Sequence, residues 1–342
     1  MTRYLITGGT GFIGSHLAEA LLAQNHSVTV IDNLSTGRFD NIAHLTGHPN
    51  FRFAVDNITN EMVLDRLASE CDIVFHLAAA VGVKLIVEHP VHTIETNIMG
   101  TQVLLEAAYK HGKQPNGQFR IKYVQVSTDE VYGSLGPTGL FTEETPLAAN
   151  SPYSASKASA DMLCRAYFHT FNFPAVITRC SNNYGPYQHP EKLIPLFITN
   201  CFANKQVPVY GDGLNVRDWL HVEDHCAAID LAFHKGEPGE VYNIGGNNER
   251  TNMQITQLIL KECGKGPELI KYVEDRLGHD RRYAIDPSKI QDKLGWKPKH
   301  TFETGIYETI NWYKSNPGWI AAVTKPEFAP TVTPVPTPAV VV

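Results

Sequence analysis

Apolar and polar positions alternate in two different rhythms along the first half of this 342-residue chain. Short apolar or β-branched runs, which predict strands, are separated by longer stretches in which apolar residues have helical spacing. The runs are Tyr4–Thr7, Ser27–Ile31, Asn50–Val55, Asp72–Ala78, Ile121–Val126 and Ala175–Arg179. The helical stretches between them include Ser15–Leu22, Glu61–Ser69 and Asn97–His111. Strands that alternate with helices predict a doubly wound α/β fold around a parallel sheet.

The rhythm changes after the sixth run. Val207–Tyr210 and Val216–Trp219 predict two strands around a glycine turn, and Glu240–Ile244 predicts a strand that returns to the first sheet. Helical spacing recurs in Asp224–His234, Asn252–Cys263 and Phe302–Lys314. We therefore predict a first domain over residues 1–180, joined by 220–246, and a smaller interleaved C-terminal α/β domain over 181–324. Prolines recur over 325–342, which predicts a disordered tail.

A glycine-rich turn follows the first predicted strand and opens the first predicted helix. Gly8, Gly11 and Gly14 stand at three-residue intervals there, in the strand–turn–helix context of a Rossmann dinucleotide-binding fingerprint. Glycines let backbone N–H groups approach a pyrophosphate, which the positive end of the helix dipole also attracts. Asp32 ends the next strand, where a carboxylate binds the adenine ribose and repels a 2′-phosphate. These features favour NAD as the cofactor, and Arg38 leaves NADP open.

Further candidate cofactor residues lie in this turn or just after the predicted strands. Asp56 follows the third strand and would reach the adenine. Ala78 and Ala80 follow the fourth strand, where small side chains leave room for a flat ring, although plain helix–sheet packing explains the alanines equally well. The complete predicted set is Gly8, Gly11, Phe12, Ile13, Gly14, Asp32, Asn33, Asp56, Asn57, Ala78, Ala80, Tyr153 and Lys157.

Composition narrows the classes of function. The net charge of −6 offers no basic face for nucleic acid, and no run approaches the roughly 18 apolar residues of a membrane span. The six cysteines are scattered without a C-x-x-C pair, so we expect neither a metal-ligand set nor a disulfide framework. These features predict a protein of the reducing cytoplasm.

Two stretches carry side chains suited to catalysis. Thr128, Asp129 and Glu130 follow the fifth strand, at the sheet edge where open α/β sheets bind ligands, and a helix N-cap is the plain alternative. Tyr153 and Lys157 stand four residues apart on one face of a predicted helix. A nearby ammonium group favours the phenolate, which predicts Tyr153 as a base near neutral pH. Surface pairs with this spacing are also common.

Taken together, Thr7–Gly14 and the Tyr153/Lys157 pair resemble the extended short-chain dehydrogenase/reductase family. Within it, the stretches that look most like dTDP-glucose 4,6-dehydratases include Ser127–Gly133, Asn182–Tyr187, Arg217–His225 and Asp275–Tyr283. The resemblance implies NAD as cofactor and a nucleotide sugar as substrate. It also implies a homodimer, because members of the family pair the helices that match Asn97–His111 and Ala155–Phe171.

The resemblance implies a role for each of five catalytic residues. Tyr153, with Thr128 and Lys157 beside it, would take the proton of the sugar C4 hydroxyl while NAD oxidises C4. Glu130 would then remove the C5 proton, and a protonated Asp129 would donate to the departing C6 hydroxyl, since an elimination needs one base and one acid. The hydride would finally return to C6, which regenerates NAD. The residues that would bind the nucleotide sugar are Asn182, Lys192, Leu193, Tyr210, Arg217, Asn252, Arg276 and His279.

Two segments of the N-terminal half point to related enzymes. Residues 32–38 and 80–87 look more like nucleotide-sugar 4-epimerases and UDP-glucuronate decarboxylases. Those two activities are therefore the alternatives to the dehydratase, and the nucleotide base and the sugar stay open.

Overall fold

Seven parallel strands form the central sheet of a computed structural model, which describes residues 1–81, 89–275 and 280–324. The strand order is β10-β6-β5-β4-β1-β2-β3. In chain order the strands are β1 Arg3–Thr7, β2 Ser27–Asp32, β3 Phe51–Val55, β4 Ile73–His76, β5 Lys122–Thr128 and β6 Ala175–Cys180, with β10 at Val241–Ile244. The doubly wound parallel sheet predicted from the sequence is confirmed.

Helices cover both faces of this sheet. On one side pack α1 (Phe12–Ala23), α7 (Val222–Lys235) and α9 (Ser288–Leu294), and on the other α2 (Glu61–Glu70), α4 (Gly100–Gly112) and α5 (Pro152–Phe171). The central strand β1 shows why helices must cover both faces of the sheet. Tyr4 and Ile6 contribute to the core on the first side and Leu5 to the core on the second, because successive side chains of a strand point to opposite faces.

The remaining described elements lie mainly in the C-terminal half. Short sheets join β7 (Asn182–Tyr184), β9 (Val216–His221) and β11 (Glu249–Thr251), and separately β8 (Val207–Tyr210) and β12 (Ile270–Val273). The helices there are α6 Leu193–Phe202, α8 Asn252–Glu262, α10 Phe302–Ser315 and α11 Pro317–Val323, and the short helix α3 Pro90–Ile94 precedes α4. None of the described helices is long and apolar enough to cross a membrane.

The strand predicted to return to the first sheet does so. Val241 of β10 pairs in parallel with Ile177 of β6, which places β10 at the edge of the seven-stranded sheet. The division of the chain into domains stays a prediction. The tail over 325–342 lies outside the described residues.

The two strands predicted around the glycine turn are present, but they do not pair with each other. β8 pairs in parallel with β12, whereas β9 lies between β7 and β11. The reason is the loop between them, whose carbonyl groups bind the start of α8 instead of the opposite strand. The N–H of Met253 donates to the Gly213 carbonyl (2.8 Å), and that of Asn252 donates to the Asn215 carbonyl (3.0 Å).

The helix predicted over Asn97–His111 begins earlier. Helical backbone starts at Pro90 and passes through a π-helical turn at Glu95–Met99 before α4. Asn97 lies in this turn with its side chain buried, and its amide bonds the backbone of Ala80 and the hydroxyl of Ser156. An inserted turn of this kind commonly marks a functional region.

A buried charge network joins four elements at the end of the sheet. The Arg179 guanidinium on β6 donates to Asp161 on α5 (2.9 Å) and to the Tyr132 hydroxyl (3.0 Å). The Tyr132 hydroxyl donates in turn to Asn243 on β10 (2.8 Å). Because the Arg179 and Asp161 side chains are 6% and 1% exposed, each charge depends on the other for its solvation.

Replacement of Asp161 by alanine should therefore destabilise the fold strongly. It would leave the buried guanidinium without its carboxylate, at a cost of about 3–5 kcal/mol in the free energy of unfolding. Urea denaturation at fixed protein concentration measures this. Arg165→Ala, an exposed position on the same helix, is the control and should change stability by less than about 0.5 kcal/mol. Equal stability of the two variants would contradict the role of the network.

Candidate active site

The glycine turn between β1 and α1 leaves no room for larger side chains. Gly8 has φ +72°, and a Cβ there would lie 2.7 Å from the backbone nitrogen of Ala78. A Cβ on Gly14 would lie 2.3 Å from the Gly8 carbonyl oxygen. Gly11 is the N-cap of α1, so no side chain covers the first-turn N–H groups of Phe12 and Ile13. This cradle fits the pyrophosphate of a dinucleotide.

Asp32 connects the glycine turn to the end of β2. Its buried carboxylate accepts hydrogen bonds from the N–H groups of Thr10 (3.1 Å) and Leu34 (2.9 Å). The sequence pattern predicted a ribose-binding carboxylate, and the fold adds a second task, since the same group holds the turn. A carboxylate accepts about four hydrogen bonds, so the two tasks are compatible.

The other predicted cofactor residues cluster at the same edge of the sheet. Asn33 accepts from the N–H of Ser35 (3.0 Å), and Asp56 accepts from the N–H of Asn57 (2.7 Å). The strand register places Asp32 opposite Val55, the last residue of β3. The carboxyl ends of β1, β2 and β3 thus lie side by side, which is where open α/β sheets bind ligands.

The backbone after β4 is held at two points. The Ala78 N–H donates to the Thr7 hydroxyl (3.2 Å), and the Ala80 N–H donates to the Asn97 amide oxygen (2.7 Å). Residues 82–88, which include most of the segment that resembles epimerases and decarboxylases, lie outside the described residues. Ala78 approaches the glycine turn, as the Cβ geometry of Gly8 also indicates, whereas Ala80 is held to Asn97.

Thr128, Asp129 and Glu130 follow one another where β5 passes into a 3₁₀ turn at Asp129–Tyr132. The Thr128 hydroxyl accepts from the N–H of Glu130 and donates to Asp129 Oδ1, both at 3.3 Å. Asp129 is 2% exposed, and its Oδ2 has no hydrogen-bond partner among the described residues. Burial, helped by the Glu130 and Asp218 charges, raises the pKa of Asp129 to about 8. A buried carboxyl of this kind is protonated near neutral pH and can donate a proton.

Tyr153 lies on the first turn of α5, close to these carboxyl groups. Burial first, and then the charge of Glu130, raise the pKa of Tyr153 well above its ordinary value. The buried Lys157 ammonium donates to the Val126 carbonyl (2.7 Å) on β5. The effect of Lys157 on the Tyr153 phenol stays a prediction. Burial and the charges of Glu130 and Asp129 act on the pKa of the phenol in the opposite direction.

Three of the predicted substrate residues surround the loop between β8 and β9. Tyr210 precedes it and is exposed, Arg217 follows it, and Asn252 at the start of α8 bonds its backbone. The Arg217 guanidinium donates to the Asp280 carbonyl (2.9 Å) and lies over the Tyr283 ring, 4.5 Å from its centroid. Its charge also acts on Asp129, whose pKa it lowers, so Arg217 lies near the Asp129 carboxyl group.

The other predicted substrate residues differ in their surroundings. Asn182 lies in β7 opposite Trp219, and its buried Oδ1 has no hydrogen-bond partner in the described ranges. Lys192 and Leu193 stand at the start of α6, where the Lys192 ammonium pairs with Glu191 (3.3 Å). Arg276 and His279 lie outside the described residues.

Comparison with known proteins places this arrangement in a family. A family model described as GDP-mannose 4,6 dehydratase matches residues 5–309. The chain belongs to this family. A dTDP-glucose 4,6-dehydratase of Xanthomonas campestris pv. campestris (strain B100) is 47% identical over 337 residues, 94% of this chain and 96% of the relative. The resemblance to the extended short-chain dehydrogenase/reductase family is thereby confirmed.

Solved structures agree with this placement. The crystal structure of a dTDP-glucose 4,6-dehydratase from Bacillus anthracis in complex with NAD is 48% identical, with a TM-score of 0.87, covering 94% of this chain and all of the other. The UDP-glucose 4-epimerase of Thermotoga maritima, solved with UDP-glucose, is 32% identical with a TM-score of 0.84, covering 92% of this chain and 99% of the other. The fold is thus common to dehydratases and epimerases, while sequence identity is higher with the dehydratase.

The sequence analysis did not identify three residues that lie near the candidate active site. Asn97 and Ser156 connect the backbone after β4 to α5. Asp218 accepts from the N–H groups of Gly246 (2.9 Å) and Asn248 (2.6 Å), and its charge raises the pKa of Asp129. Each is a polar residue within an otherwise apolar pattern. That pattern could have marked the residue as unusual, but it could not identify the groups that the residue contacts.

The raised pKa of Asp129 makes a prediction about pH. The folded protein keeps a proton that the unfolded chain, with an ordinary aspartate pKa, has already lost, so rising pH favours unfolding. Relative to Asp129→Asn, the wild type should lose about 1.4 kcal/mol of unfolding free energy per pH unit between about pH 5 and about pH 7. Urea denaturation of both proteins across this range measures the difference. A difference that does not change with pH would mean that Asp129 is ionised throughout.

Proposed function

We propose that this protein is an NAD-dependent nucleotide-sugar 4,6-dehydratase with dTDP-glucose as substrate. The observation that carries the proposal is the buried Asp129 carboxyl beside Glu130, within reach of Tyr153. An elimination needs an acid and a base at one site, whereas a 4-epimerisation needs neither carboxyl group. The dehydratase relatives, at 45–48% identity over nearly the whole chain, support the same activity.

NAD fits the glycine turn, because the cradle at Gly8, Gly11 and Gly14 excludes a Cβ and leaves the N–H groups of α1 open. Asp32 would bind the adenine ribose, and Asp56 and Asn57 lie beyond the neighbouring strand on the adenine side. When bound, NAD would supply a reversible two-electron oxidation, with the hydride of C4 taken up and later returned to C6, so that the net change in the sugar is the loss of one water. The small side chains of Ala78 and Ala80 would leave room for the flat rings of the cofactor.

Tyr153 and Thr128 would act at the C4 hydroxyl. Tyr153 takes the hydroxyl proton as C4 is oxidised, and Thr128, whose hydroxyl lies at the end of β5, hydrogen-bonds the same oxygen. Because burial and the Glu130 charge raise the pKa of the Tyr153 phenol, positive charge near the phenol would be needed for it to act as a base. The Lys157 ammonium and the nicotinamide ring of NAD⁺ carry such charge.

Glu130 and Asp129 would divide the elimination between them. The ketone at C4 acidifies the C5 proton, which the Glu130 carboxylate removes. Asp129 gives its own proton to the C6 hydroxyl, the C6–O bond breaks, and water leaves with formation of a C5–C6 double bond. Burial keeps Asp129 protonated for this step, while Glu130, less buried, serves as the base. Two adjacent residues thus perform opposite tasks.

Positive charge near the loop between β8 and β9 would bind the diphosphate. Arg217 matches phosphate bidentately, and Lys192 acts as a point charge. Asn182, Leu193, Tyr210 and Asn252 complete the described part of the proposed site, and Arg276 and His279 stay predictions. We assign residues 1–180 with 220–246 to cofactor binding and 181–324 to the nucleotide sugar.

The product of a single turnover tests the proposal. The purified protein is incubated separately with dTDP-glucose, UDP-glucose and UDP-glucuronate, and each product is identified by its mass and its proton NMR spectrum. We expect dTDP-glucose to lose one water. Loss of carbon dioxide from UDP-glucuronate, or inversion at C4 without a change of mass, would instead assign the decarboxylase or the epimerase and overturn the proposal.

Replacement of Asp129 by asparagine should separate oxidation from elimination. The variant keeps Tyr153 and Thr128, so C4 oxidation continues, but without its acid the elimination should slow by about 10²–10⁴-fold. Reduced nicotinamide then accumulates and is measured by its absorbance after mixing with dTDP-glucose. Glu144→Gln, an exposed carboxylate elsewhere in the chain, is the control. Normal turnover by Asp129→Asn would show that another group is the acid.

We also propose that the protein forms a homodimer and works in the cytoplasm. Apolar side chains are exposed on adjacent helical segments, among them Val91, Ile94 and Met99 near α3 and Met162 on α5. An open apolar groove between these segments is lined by Ile98, Leu147, Ala158, Ser159, Met162 and Leu163. An exposed apolar patch of this kind is typical of a protein interface. All six cysteines are free, which suits a reducing compartment.

A charge placed in the groove should break the dimer. Met162→Lys would bury an unpaired ammonium in the interface, so we expect a monomer by size-exclusion chromatography with light scattering, against a dimer for the wild type. Met62→Lys on α2, where the side chain is 82% exposed, is the matched control and should stay dimeric. A dimeric Met162→Lys variant would place the interface elsewhere.

A further inference from the structure

Two histidines and a glutamate come together where β9 passes into α7. His221 is the last residue of β9, Glu223 lies in the first turn of α7, and His300 comes from the segment that precedes α10. One ligand atom from each of the three side chains lies within 4.8 Å of the other two. The sequence pattern did not predict this cluster, because its members come from distant parts of the chain.

His221 forms the floor of the cluster. It is 2% exposed, and neither of its ring nitrogens has a hydrogen-bond partner among the described residues. A buried polar group without a partner is costly, so it calls for an explanation. A ligand at a ring nitrogen of His221 would supply the missing partner.

His300 is oriented by a buried carboxylate. Its Nδ1 donates to Asp224 Oδ2 (3.0 Å), and Asp224 also accepts from the N–H groups of Lys299 and His300. This bond fixes the tautomer and leaves the lone pair of the neutral ring on Nε2. Metal-binding histidines have this carboxylate–histidine arrangement in many proteins. Here Nε2 lies 3.4 Å from Glu308 Oε2 and 3.9 Å from Glu223 Oε2.

Charge and exposure also suit a cation. The Glu223 and Glu308 side chains are 61% and 59% exposed, so the cluster has a buried nitrogen floor and an open carboxylate mouth through which an ion enters. Helices α7 and α10 begin at this region, and their positive dipole ends oppose a cation. The carboxylates of Glu223, Asp224 and Glu308 offset that charge.

We propose that His221, Glu223 and His300 bind a divalent transition-metal ion, with Glu308 as a fourth ligand. Imidazole and carboxylate donors select Zn²⁺ or chemically similar ions over Mg²⁺ or Ca²⁺. Ligand atoms around a tetrahedral Zn²⁺ lie about 3.3 Å apart. The glutamates and the two histidine rings, whose centroids lie 4.0 Å apart, would turn toward the ion when it binds. The ion would join α7 to α10 at the end of β9, the strand that carries Arg217.

Direct binding of Zn²⁺ tests the proposal. Untagged protein, treated with a chelator and dialysed, is titrated with Zn²⁺ in competition with a chromophoric chelator, and thermal unfolding is followed with and without the ion. We expect one high-affinity ion per chain and a higher Tm when it is bound. Co²⁺ in its place should give the visible absorption of a nitrogen- and oxygen-coordinated ion.

Variants distinguish this site from other histidines. Glu223→Gln, at an exposed position that folding does not require, should weaken Zn²⁺ binding by about tenfold or more, and His300→Gln by more. Glu237→Gln, exposed beyond the other end of α7, should bind as the wild type. No saturable binding by the wild type, or equal affinity in all the proteins, would overturn the proposal and leave His300 as an ordinary partner of three carboxylates. The readout is independent of the dehydratase activity.

Discussion

The burial of one carboxyl group, that of Asp129, constrains the rest of the proposed active site. The carboxyl lies at the end of a central strand, between the Glu130 and Asp218 carboxylates, and ionising it there would place a third negative charge in a dry environment. The neutral acid is the less costly state. The surrounding structure maintains this condition, since the Arg179 network holds the turn that follows β5 and the backbone N–H groups of Gly246 and Asn248 hold Asp218.

The parallel sheet explains why groups from distant parts of the chain meet at this carboxyl. Strands β1 to β6 end at one edge, so the glycine turn, Asp32 and Thr128 share that edge although they are far apart in the sequence. The fold itself is shared with 4-epimerases. The reaction is therefore decided by which side chains stand at the edge, and an acid beside a base there favours elimination.

The C-terminal half contributes charged residues around the proposed active site, whereas the proposed catalytic residues come from the N-terminal half. The positive charge of Arg217 lowers the pKa of Asp129, and its guanidinium lies over the Tyr283 ring. Strand β9 thus begins near Asp129, the proposed acid, and ends at His221 in the histidine cluster. An ion bound at that cluster would hold the strand whose position determines the distance between Arg217 and the catalytic carboxyl groups.

Local patterns in the sequence were enough to predict the strands and helices of the main sheet. They also predicted the candidate sites whose residues lie close together in the chain. Short apolar runs predicted the strands of the main sheet, since burial on both faces makes nearly every position apolar, and helical spacing predicted its helices. The glycine turn and the Thr128–Glu130 run were predictable for the same reason, because each acts through neighbours in the chain.

Only the tertiary structure decided what depends on desolvation and on long-range contact. It placed β8 and β9 in different sheets, since the loop between them bonds α8, and it surrounded Tyr153 with the burial and the Glu130 charge that raise the pKa of its phenol. It also brought His300 to His221. The physical reason is common to all three, because a desolvation cost or a cross-chain contact is set by the atoms around a group, and sequence spacing carries no information about those atoms.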